Sequence, residues 1–134
     1  DPKIVDDVIR AYKSSDADYV SNVNPPTYPD GLDVEVFSFS ALEDAWKGAE
    51  TLFDCEHVTP YILNSGKFEI ENVCNNIDFS DERWTVDEIE DYEVVKSIFD
   101  HFSPKIDFSW LKVMQLRKID PNIFSKNRFS FVEL

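Results

Sequence analysis

The sequence predicts an α/β fold on the basis of three observations. The segments over 18–23 and 32–37 alternate apolar and polar residues, as half-buried β-strands do. The segments over 4–12 and 89–102 repeat apolar residues at the spacing of amphipathic helices. Turn residues such as proline, glycine and asparagine separate these segments. Strands and helices that alternate along one chain are typical of an α/β domain.

A helix opens the chain. Asp1 suits the N-cap and Pro2 suits the first helical position. The apolar stripe of this helix consists of Ile4, Val5, Val8, Ile9 and Tyr12. Because a first residue is seldom a helix cap, and because neither Met nor a strand leads into it, we expect the chain to be a piece of a longer protein. The strand over 18–23 and a proline-containing loop over 24–31 follow.

The second strand is expected over 32–37. Its apolar face carries Leu32, Val34 and Val36. Since successive side chains of a strand point to opposite faces, Asp33 and Glu35 fall together on the other face.

Two helices and a strand are expected in the middle of the chain. The capping box Ser40-Ala41-Leu42-Glu43 predicts a helix start. The buried stripe of that helix is expected to be Leu42, Ala45, Trp46 and Ala49. A short helix over 56–63, interrupted at Pro60, leads through a turn into a strand over 68–73.

The last third reads as a brief strand over 84–86 that runs into a helix beginning at Glu88. The apolar stripe of this helix consists of Ile89, Tyr92, Val95, Ile98, Phe99 and Phe102. Pro104 ends it, and Asp107 caps a further helix. That helix carries Trp110, Leu111, Met114 and Ile119. All three tryptophans, Trp46, Trp84 and Trp110, lie on apolar faces and are expected in the core.

Length and composition indicate a single domain over 1–134. The chain has 134 residues, of which 43% are hydrophobic and eleven are Phe, so it can bury a substantial core. It shows no internal repeat, no low-complexity tract and no change of composition that would mark a linker.

The charge and the cysteines indicate which binding partners and metal sites are not expected. A formal charge of -14 disfavours nucleic acid and anionic membrane surfaces as partners. Cys55 and Cys74 lie far apart with no CxxC spacing, so a zinc site is not expected; we interpret them as reduced thiols of a cytoplasmic protein. No apolar run approaches the roughly 20 residues of a membrane helix. The three glycines form no phosphate-binding motif, so a loop that cradles phosphates is expected elsewhere.

Asp87 is the main candidate for chemistry, because it lies where the predicted strand at 84–86 meets the next helix. In α/β enzymes this corner commonly presents a carboxylate to a ligand. An ordinary helix N-cap is the alternative. From the residues alone, Asp33 and Glu35 are as expected on a solvated strand face, and a lone histidine such as His57 is more often a packed or hydrogen-bonded structural residue than a catalyst. No Ser-His-Asp or Cys-His arrangement is evident, so we name no catalytic residue.

Three polar blocks, in this order along the chain, resemble one family. They are Tyr28-Pro29-Asp30-Gly31-Leu32-Asp33-Val34-Glu35-Val36-Phe37, Glu56-His57-Val58-Thr59-Pro60-Tyr61-Ile62 and Arg83-Trp84-Thr85-Val86-Asp87 with Asp91. The family is the cytidylyltransferase-like proteins of the spore coat polysaccharide biosynthesis protein F type, relatives of the synthetases of CMP-activated acidic sugars. The resemblance spans residue 1 to about residue 102 and corresponds to the C-terminal half of the family's Rossmann-like α/β/α fold with a mixed sheet.

The resemblance implies an enzyme of the nucleotidyltransferase class that acts in surface polysaccharide biosynthesis. A hydroxyl of an acidic or modified sugar would attack the α-phosphorus of CTP, and pyrophosphate would leave with Mg²⁺ as cofactor. Asp87 would match the family's second metal ligand. Asp33, Glu35, Glu56 and His57 would line the sugar pocket. The CTP site would lie mostly outside this chain, so the isolated chain is expected to be inactive, and a homodimer is expected.

A non-catalytic role is the alternative to the enzyme. In that reading the same fragment is a folded interaction or dimerisation module, which pairs through an exposed hairpin around 68–73. An open sheet edge favours such pairing.

Overall fold

The computed structural model describes residues 1–125 and confirms the α/β fold. Its elements in chain order are α1 (Pro2–Ser14), β1 (Tyr19–Ser21), β2 (Glu35–Phe37), α2 (Phe39–Gly48), α3 (Leu52–His57), α4 (Pro60–Asn64), β3 (Ile70–Asn72), α5 (Ile89–Phe102), α6 (Trp110–Ile119) and a 3₁₀ turn (Pro121–Phe124). The chain divides into two compact units. The single domain predicted over 1–134 stays a prediction.

The sheet unit comprises residues 2–28 and 33–79. Its three strands lie in the order β2-β1-β3, with β1 antiparallel to β2 and parallel to β3. All three residues of the central strand are buried. Because successive side chains point to opposite faces, both faces of the sheet are covered at β1. The core around it is formed by Tyr19, Ala41, Ala45 and Ile62.

The helical unit comprises Asp1, residues 29–32 and, among the described residues, 80–125. Its core joins α5, α6 and the 3₁₀ turn through Val94, Ile98, Val113, Leu116 and Phe124. The carboxylate of Asp1 accepts a hydrogen bond from the backbone N–H of Trp110 at 2.9 Å. It therefore supports the start of α6, beside the N-cap Ser109; the N-cap predicted at Asp107 is wrong.

Two predicted helix faces are right only in part, since Ala45 of α2 and Ile98 of α5 are buried as predicted but the other predicted residues are not among the buried residues of these helices. In α2 the buried residues are Ala41 and Ala45, whereas Trp46 is 77% exposed. The helix also begins earlier than predicted, because Ser38 caps it by accepting from the N–H of Ala41. Ala45 belongs to the predicted stripe, whereas Ala41, one helical turn before it, does not; both pack against Tyr19 and Ile62. Trp46 therefore lies outside the core.

In α5 the buried face is Asp91, Val94 and Ile98, and Ile89 is 64% exposed. The face is turned from the predicted one because Asp91, a charged residue, is held inside by Arg83. A charged side chain does not count toward an apolar stripe, so hydrophobic periodicity misplaces this face.

The predicted strands at 84–86 and 68–73 also need correction. Residues 84–86 form no strand; Arg83 makes one isolated parallel bridge with Asp30. β3 is shorter than predicted, and it pairs in parallel with β1 instead of forming a hairpin. Across the described part of the chain, no helix is long and apolar enough to cross a membrane.

Candidate functional site

The predicted site residues fall into both units. Asp87 belongs to the helical unit, whereas Asp33, Glu35, Glu56 and His57 belong to the sheet unit.

Arg83 is the centre of the polar cluster in the helical unit. Its Nη2 lies 2.7 Å from Oδ2 of Asp87 and 3.0 Å from Oδ2 of Asp91. Its Nη1 lies 3.6 Å from Oδ2 of Asp30. The guanidinium thus joins the loop at 29–32 to the start of α5, and the hydrogen-bonded carboxylates raise the pKa of Arg83. We call Asp30, Arg83, Asp87 and Asp91 the arginine cluster.

Asp91 is the buried member of the arginine cluster, with its side chain 4% exposed. Its Oδ2 also accepts from the backbone N–H groups of Asp87 and Glu88, each at 3.0 Å. Burial alone would raise the pKa of this carboxyl, but the two N–H groups and Arg83 outweigh it and lower the pKa from 3.8 to about 2. Asp91 therefore stays ionised and fixes the start of α5.

Asp87 lies one residue before the N-cap of α5, which is Glu88. The reading of Asp87 as the helix N-cap is therefore wrong. Its side chain is 65% exposed and is paired with Arg83. The carboxylate thus lies at the surface at the entry to α5, where a ligand can reach it.

A magnesium site built from protein ligands alone does not fit this cluster. Among residues 1–125, no group of three or more His, Cys, Asp or Glu residues could hold a metal ion. Mg²⁺ usually takes only one or two carboxylates and completes its shell with substrate oxygens and water, so one exposed carboxylate fits that donor set. An ion at Asp87 would compete with Arg83 for the same oxygen. The role of Asp87 as a metal ligand stays a prediction.

Two of the three polar blocks meet in the helical unit. The N–H of Asp30 donates to the carbonyl of Glu82 at 2.8 Å, and the N–H of Trp84 donates to the carbonyl of Asp30 at 2.7 Å. Gly31 adopts φ +104°, and a Cβ there would lie 2.7 Å from the carbonyl carbon of Trp84. Only glycine permits both the conformation and this approach. The glycine therefore brings Asp30 next to Arg83.

Two buried polar atoms in this block have no hydrogen-bond partner within the described residues. They are Nε1 of Trp84 and Oγ1 of Thr85. An unsatisfied buried donor costs about 1–3 kcal/mol, and such groups in a native structure usually have a reason. The stability of the fold therefore does not explain why these two unpaired polar groups are buried just before Asp87.

Of the four predicted sugar-pocket residues, Glu35 is the one held by hydrogen bonds from two other side chains. Its Oε1 accepts hydrogen bonds from the hydroxyl of Tyr19 and from the hydroxyl of Thr59, the latter at 3.0 Å. The pKa of Tyr19 is raised, mainly because the hydroxyl is buried and also because it is hydrogen-bonded to Glu35. The hydroxyl therefore keeps its proton and remains a donor. We call Tyr19, Glu35 and Thr59 the carboxylate clamp.

The backbone before Thr59 is strained. Val58 has φ +68° and ψ -53°, and the N–H of Thr59 donates to the carbonyl of His57 at 2.7 Å. This is the γ-turn that is rare and strained, and a β-branched residue seldom adopts it. Such a residue costs of the order of 1–3 kcal/mol and persists where the surroundings impose it. The turn separates α3 from α4 and delivers the Thr59 hydroxyl to Glu35.

The other three predicted residues lie at the surface. Asp33 is exposed and precedes β2, and its charge reaches Tyr19 and raises the pKa of that hydroxyl. Glu56 and His57 are exposed on the last turn of α3, and the His57 ring packs on Phe53 at 4.6 Å between ring centres. The contact between this block and Glu35 is made by Thr59 and by neither Glu56 nor His57.

Three residues that shape these clusters were neither among the predicted site residues nor named individually in the sequence: Tyr19, Thr59 and Arg83. Thr59 and Arg83 lie inside the polar blocks, so a signal for them was present. Tyr19 gave no signal, because an aromatic residue in a strand usually means core packing.

Known proteins are similar to this chain along almost all of its length. No protein-family model matches the chain. The structure of a cytidylyltransferase from Leptospira borgpetersenii matches with a TM-score of 0.87 and 31% sequence identity, over 96% of this chain and 55% of that one. This likeness supports the cytidylyltransferase family. An uncharacterized protein of Methanocaldococcus jannaschii is 31% identical over 93% of this chain and 54% of its own length.

These matches agree with the predicted fold class, since the mixed α/β architecture is nucleotidyltransferase-like. The chain spans about half the length of the curated relative it matches. The spore coat type and the C-terminal position remain predictions.

Proposed function

We propose that this chain forms the sugar-binding side of a cytidylyltransferase that activates an acidic or modified sugar as its CMP derivative in surface polysaccharide biosynthesis. The observation that carries this proposal is the match to a cytidylyltransferase along 96% of the chain at 31% identity. In that reaction the sugar hydroxyl attacks the α-phosphorus of CTP and pyrophosphate leaves.

Asp87 is the proposed ligand of Mg²⁺. The bound ion would offset the charge that develops on the phosphoryl oxygens. Two features support the assignment: the carboxylate is 65% exposed, and it is held at the entry to α5 by Arg83. The buried unpaired atoms of Trp84 and Thr85 lie just before it in the sequence.

The sugar is proposed to bind at the sheet unit through Glu35, with Asp33, Glu56 and His57 as further pocket residues. Support is strongest for Glu35, because two hydroxyl donors orient its carboxylate. The proposal places the CTP site mostly outside this chain, since the three glycines form no phosphate-binding loop.

Calorimetry tests whether this chain binds the sugar while the CTP site lies mostly outside it. CTP, CMP, N-acetylneuraminate and 3-deoxy-octulosonate are titrated separately into the chain with Mg²⁺ present. We expect a sugar acid to bind and the nucleotides to give no heat of binding. Nucleotide binding without sugar binding would contradict the proposal.

An exposed apolar surface favours a second candidate function, a non-catalytic dimerisation module. Phe39 and Trp46 on α2 are 80% and 77% exposed, and Leu52 on α3 is 90% exposed. Phe39 and Trp46 line one surface cavity together with Leu42, and large apolar side chains grouped at the surface in this way are typical of an interface. The proposed partner is a second copy of this chain. Sedimentation should show a dimer that Trp46→Lys dissociates, and a strict monomer would remove this candidate.

A further inference from the structure

We propose that Arg83 is a positioning residue that opposes binding of a free divalent cation at Asp87 and favours the same cation when it arrives in complex with a nucleoside triphosphate. This role rests on the proposed function, because it concerns the ion that Asp87 is proposed to hold. It makes the ion enter the site together with the nucleotide and not before it.

The guanidinium of Arg83 is anchored by carboxylates other than that of Asp87. Its Nη2 lies 3.0 Å from Oδ2 of Asp91, whose side chain is 4% exposed. Its Nη1 lies 3.6 Å from Oδ2 of Asp30, which belongs to the loop at 29–32. The positive charge therefore stays beside residue 87 when the Asp87 carboxylate takes another partner.

Asp87 is the member of the arginine cluster that can change its partner. Its side chain is 65% exposed, compared with 40% for Asp30 and 4% for Asp91. Its backbone N–H donates to Oδ2 of Asp91 at 3.0 Å, so the backbone is held in place while the side chain turns. An ion that takes Oδ2 of Asp87 from Arg83 therefore leaves the other contacts of the cluster intact.

The fixed guanidinium acts in opposite directions on a free ion and on its nucleotide complex. Nη2 of Arg83 lies 2.7 Å from the oxygen of Asp87 that the ion would take, so a free divalent cation there meets a neighbouring positive charge. A divalent ion bound to a nucleoside triphosphate carries a net negative charge, which a guanidinium attracts. Mg²⁺ also prefers a shell of one or two carboxylates together with substrate phosphates. Arg83 therefore couples binding of the ion to binding of the nucleotide.

The effect on the free ion is measured with Mn²⁺ as a substitute for Mg²⁺, in the protein at its full natural length. The EPR signal of free Mn²⁺ gives the bound fraction. Arg83→Gln should bind Mn²⁺ alone about tenfold more tightly than the parent protein, because one positive charge close to the ion is removed. Adding Asp87→Asn to Arg83→Gln should abolish this gain. Arg83→Lys keeps the charge and should bind Mn²⁺ as the parent does; tighter binding there would contradict the role of the charge.

Lys96→Gln is the matched control for net charge. Lys96 pairs with Asp100 four residues away, as Arg83 pairs with Asp87, and both substitutions remove one positive charge and release an exposed carboxylate. Lys96→Gln should leave the affinity for Mn²⁺ unchanged. Equal tightening by Lys96→Gln and Arg83→Gln would reduce the effect to net charge and overturn the proposal.

The effect on the nucleotide complex is measured by calorimetry with CTP and saturating Mn²⁺. Arg83→Gln should bind the Mn²⁺ complex of CTP several-fold more weakly than the parent, although it binds Mn²⁺ alone more tightly. Opposite shifts distinguish the charge of Arg83 from a merely structural role, since damage to the helical unit would weaken both. Weaker binding of both ligands would therefore overturn the proposal.

The outcomes separate this role from the proposed function. If Asp87→Asn binds the Mn²⁺ complex of CTP as the parent does, the proposed metal ligand is wrong and the role of Arg83 fails with it. If Asp87→Asn weakens that complex but Arg83→Gln does not tighten Mn²⁺ alone, the role of Arg83 is wrong while the proposed ligand stands. Should Arg83→Gln fail to fold, the parent protein decides. Mn²⁺ alone should bind to it only in the millimolar range, and micromolar binding that Asp87→Asn removes would overturn the proposal.

Discussion

Replacing Asp91 by asparagine removes the charge that anchors Arg83 at the start of α5. Oδ2 of Asp91 accepts from Arg83 and from two backbone N–H groups, and the pKa of this carboxyl is lowered from 3.8 to about 2. One pKa unit corresponds to about 1.4 kcal/mol, so the ionised carboxylate stabilises the folded helical unit by roughly 2 kcal/mol. We expect Asp91→Asn to lower the free energy of unfolding by about that amount at neutral pH.

The pH dependence follows from the direction of the shift. Because the folded-state pKa of Asp91 is depressed, its contribution is complete above the unfolded-state value near 3.8 and is lost as the pH falls through about 2. The difference in stability between the parent chain and Asp91→Asn should therefore be constant at neutral pH and shrink across that acidic interval.

Urea unfolding followed by tryptophan fluorescence measures this difference. A Trp46→Phe background leaves Trp84 and Trp110, both in the helical unit, as the only tryptophans. Asp87→Asn is the matched control, since it removes an exposed ion pair to the same arginine and should cost less than about 1 kcal/mol. Equal effects of Asp91→Asn and Asp87→Asn, or a difference that does not change with pH, would refute the reasoning.

Two further predictions concern packing. Gly31→Ala should destabilise the helical unit by about 2 kcal/mol or more, because φ is +104° and the new Cβ would clash with the Trp84 backbone. Gly66→Ala, at φ +69° with open space around it, should cost only about 1 kcal/mol, and similar losses in thermal unfolding would contradict the clash. Trp46→Ala should change stability by less than about 0.5 kcal/mol, since the side chain is 77% exposed; a loss typical of a core tryptophan would show that it is buried.

Much of the fold could be predicted from the sequence, because local patterns determine it. The stripe in α1 correctly includes Ile4 and Val8, which are buried, and the alternation at 18–23 and 32–37 marks β1 and β2. The faces of α2 and α5 were predicted only in part. Ala45 and Ile98 are buried as predicted, but the small Ala41 completes the contact in α2, and in α5 an ion pair with an arginine outside the helix buries a carboxylate. Hydrophobic periodicity carries neither kind of information.

The candidate site was predictable in part for the same reason. The polar blocks indicated Glu35 and Asp87, because acids beyond those that folding requires stand out in a sequence. The partners of Glu35 could not be predicted, since Tyr19 and Thr59 meet it only through strand register and a strained turn at Val58. Likewise, pairing of Arg83 with Asp30 depends on the tight approach at Gly31.

Pyrophosphate release is the most direct test of the proposal that Asp87 holds Mg²⁺ in a cytidylyltransferase. The protein is assayed at its full natural length with CTP, Mg²⁺ and either N-acetylneuraminate or 3-deoxy-octulosonate. Asp100→Ala is the matched control, because Asp100 is 66% exposed and paired with Lys96, much as Asp87 is 65% exposed and paired with Arg83. We predict that Asp87→Ala abolishes release while Asp100→Ala leaves it unchanged. Unaltered release by Asp87→Ala would contradict the claim.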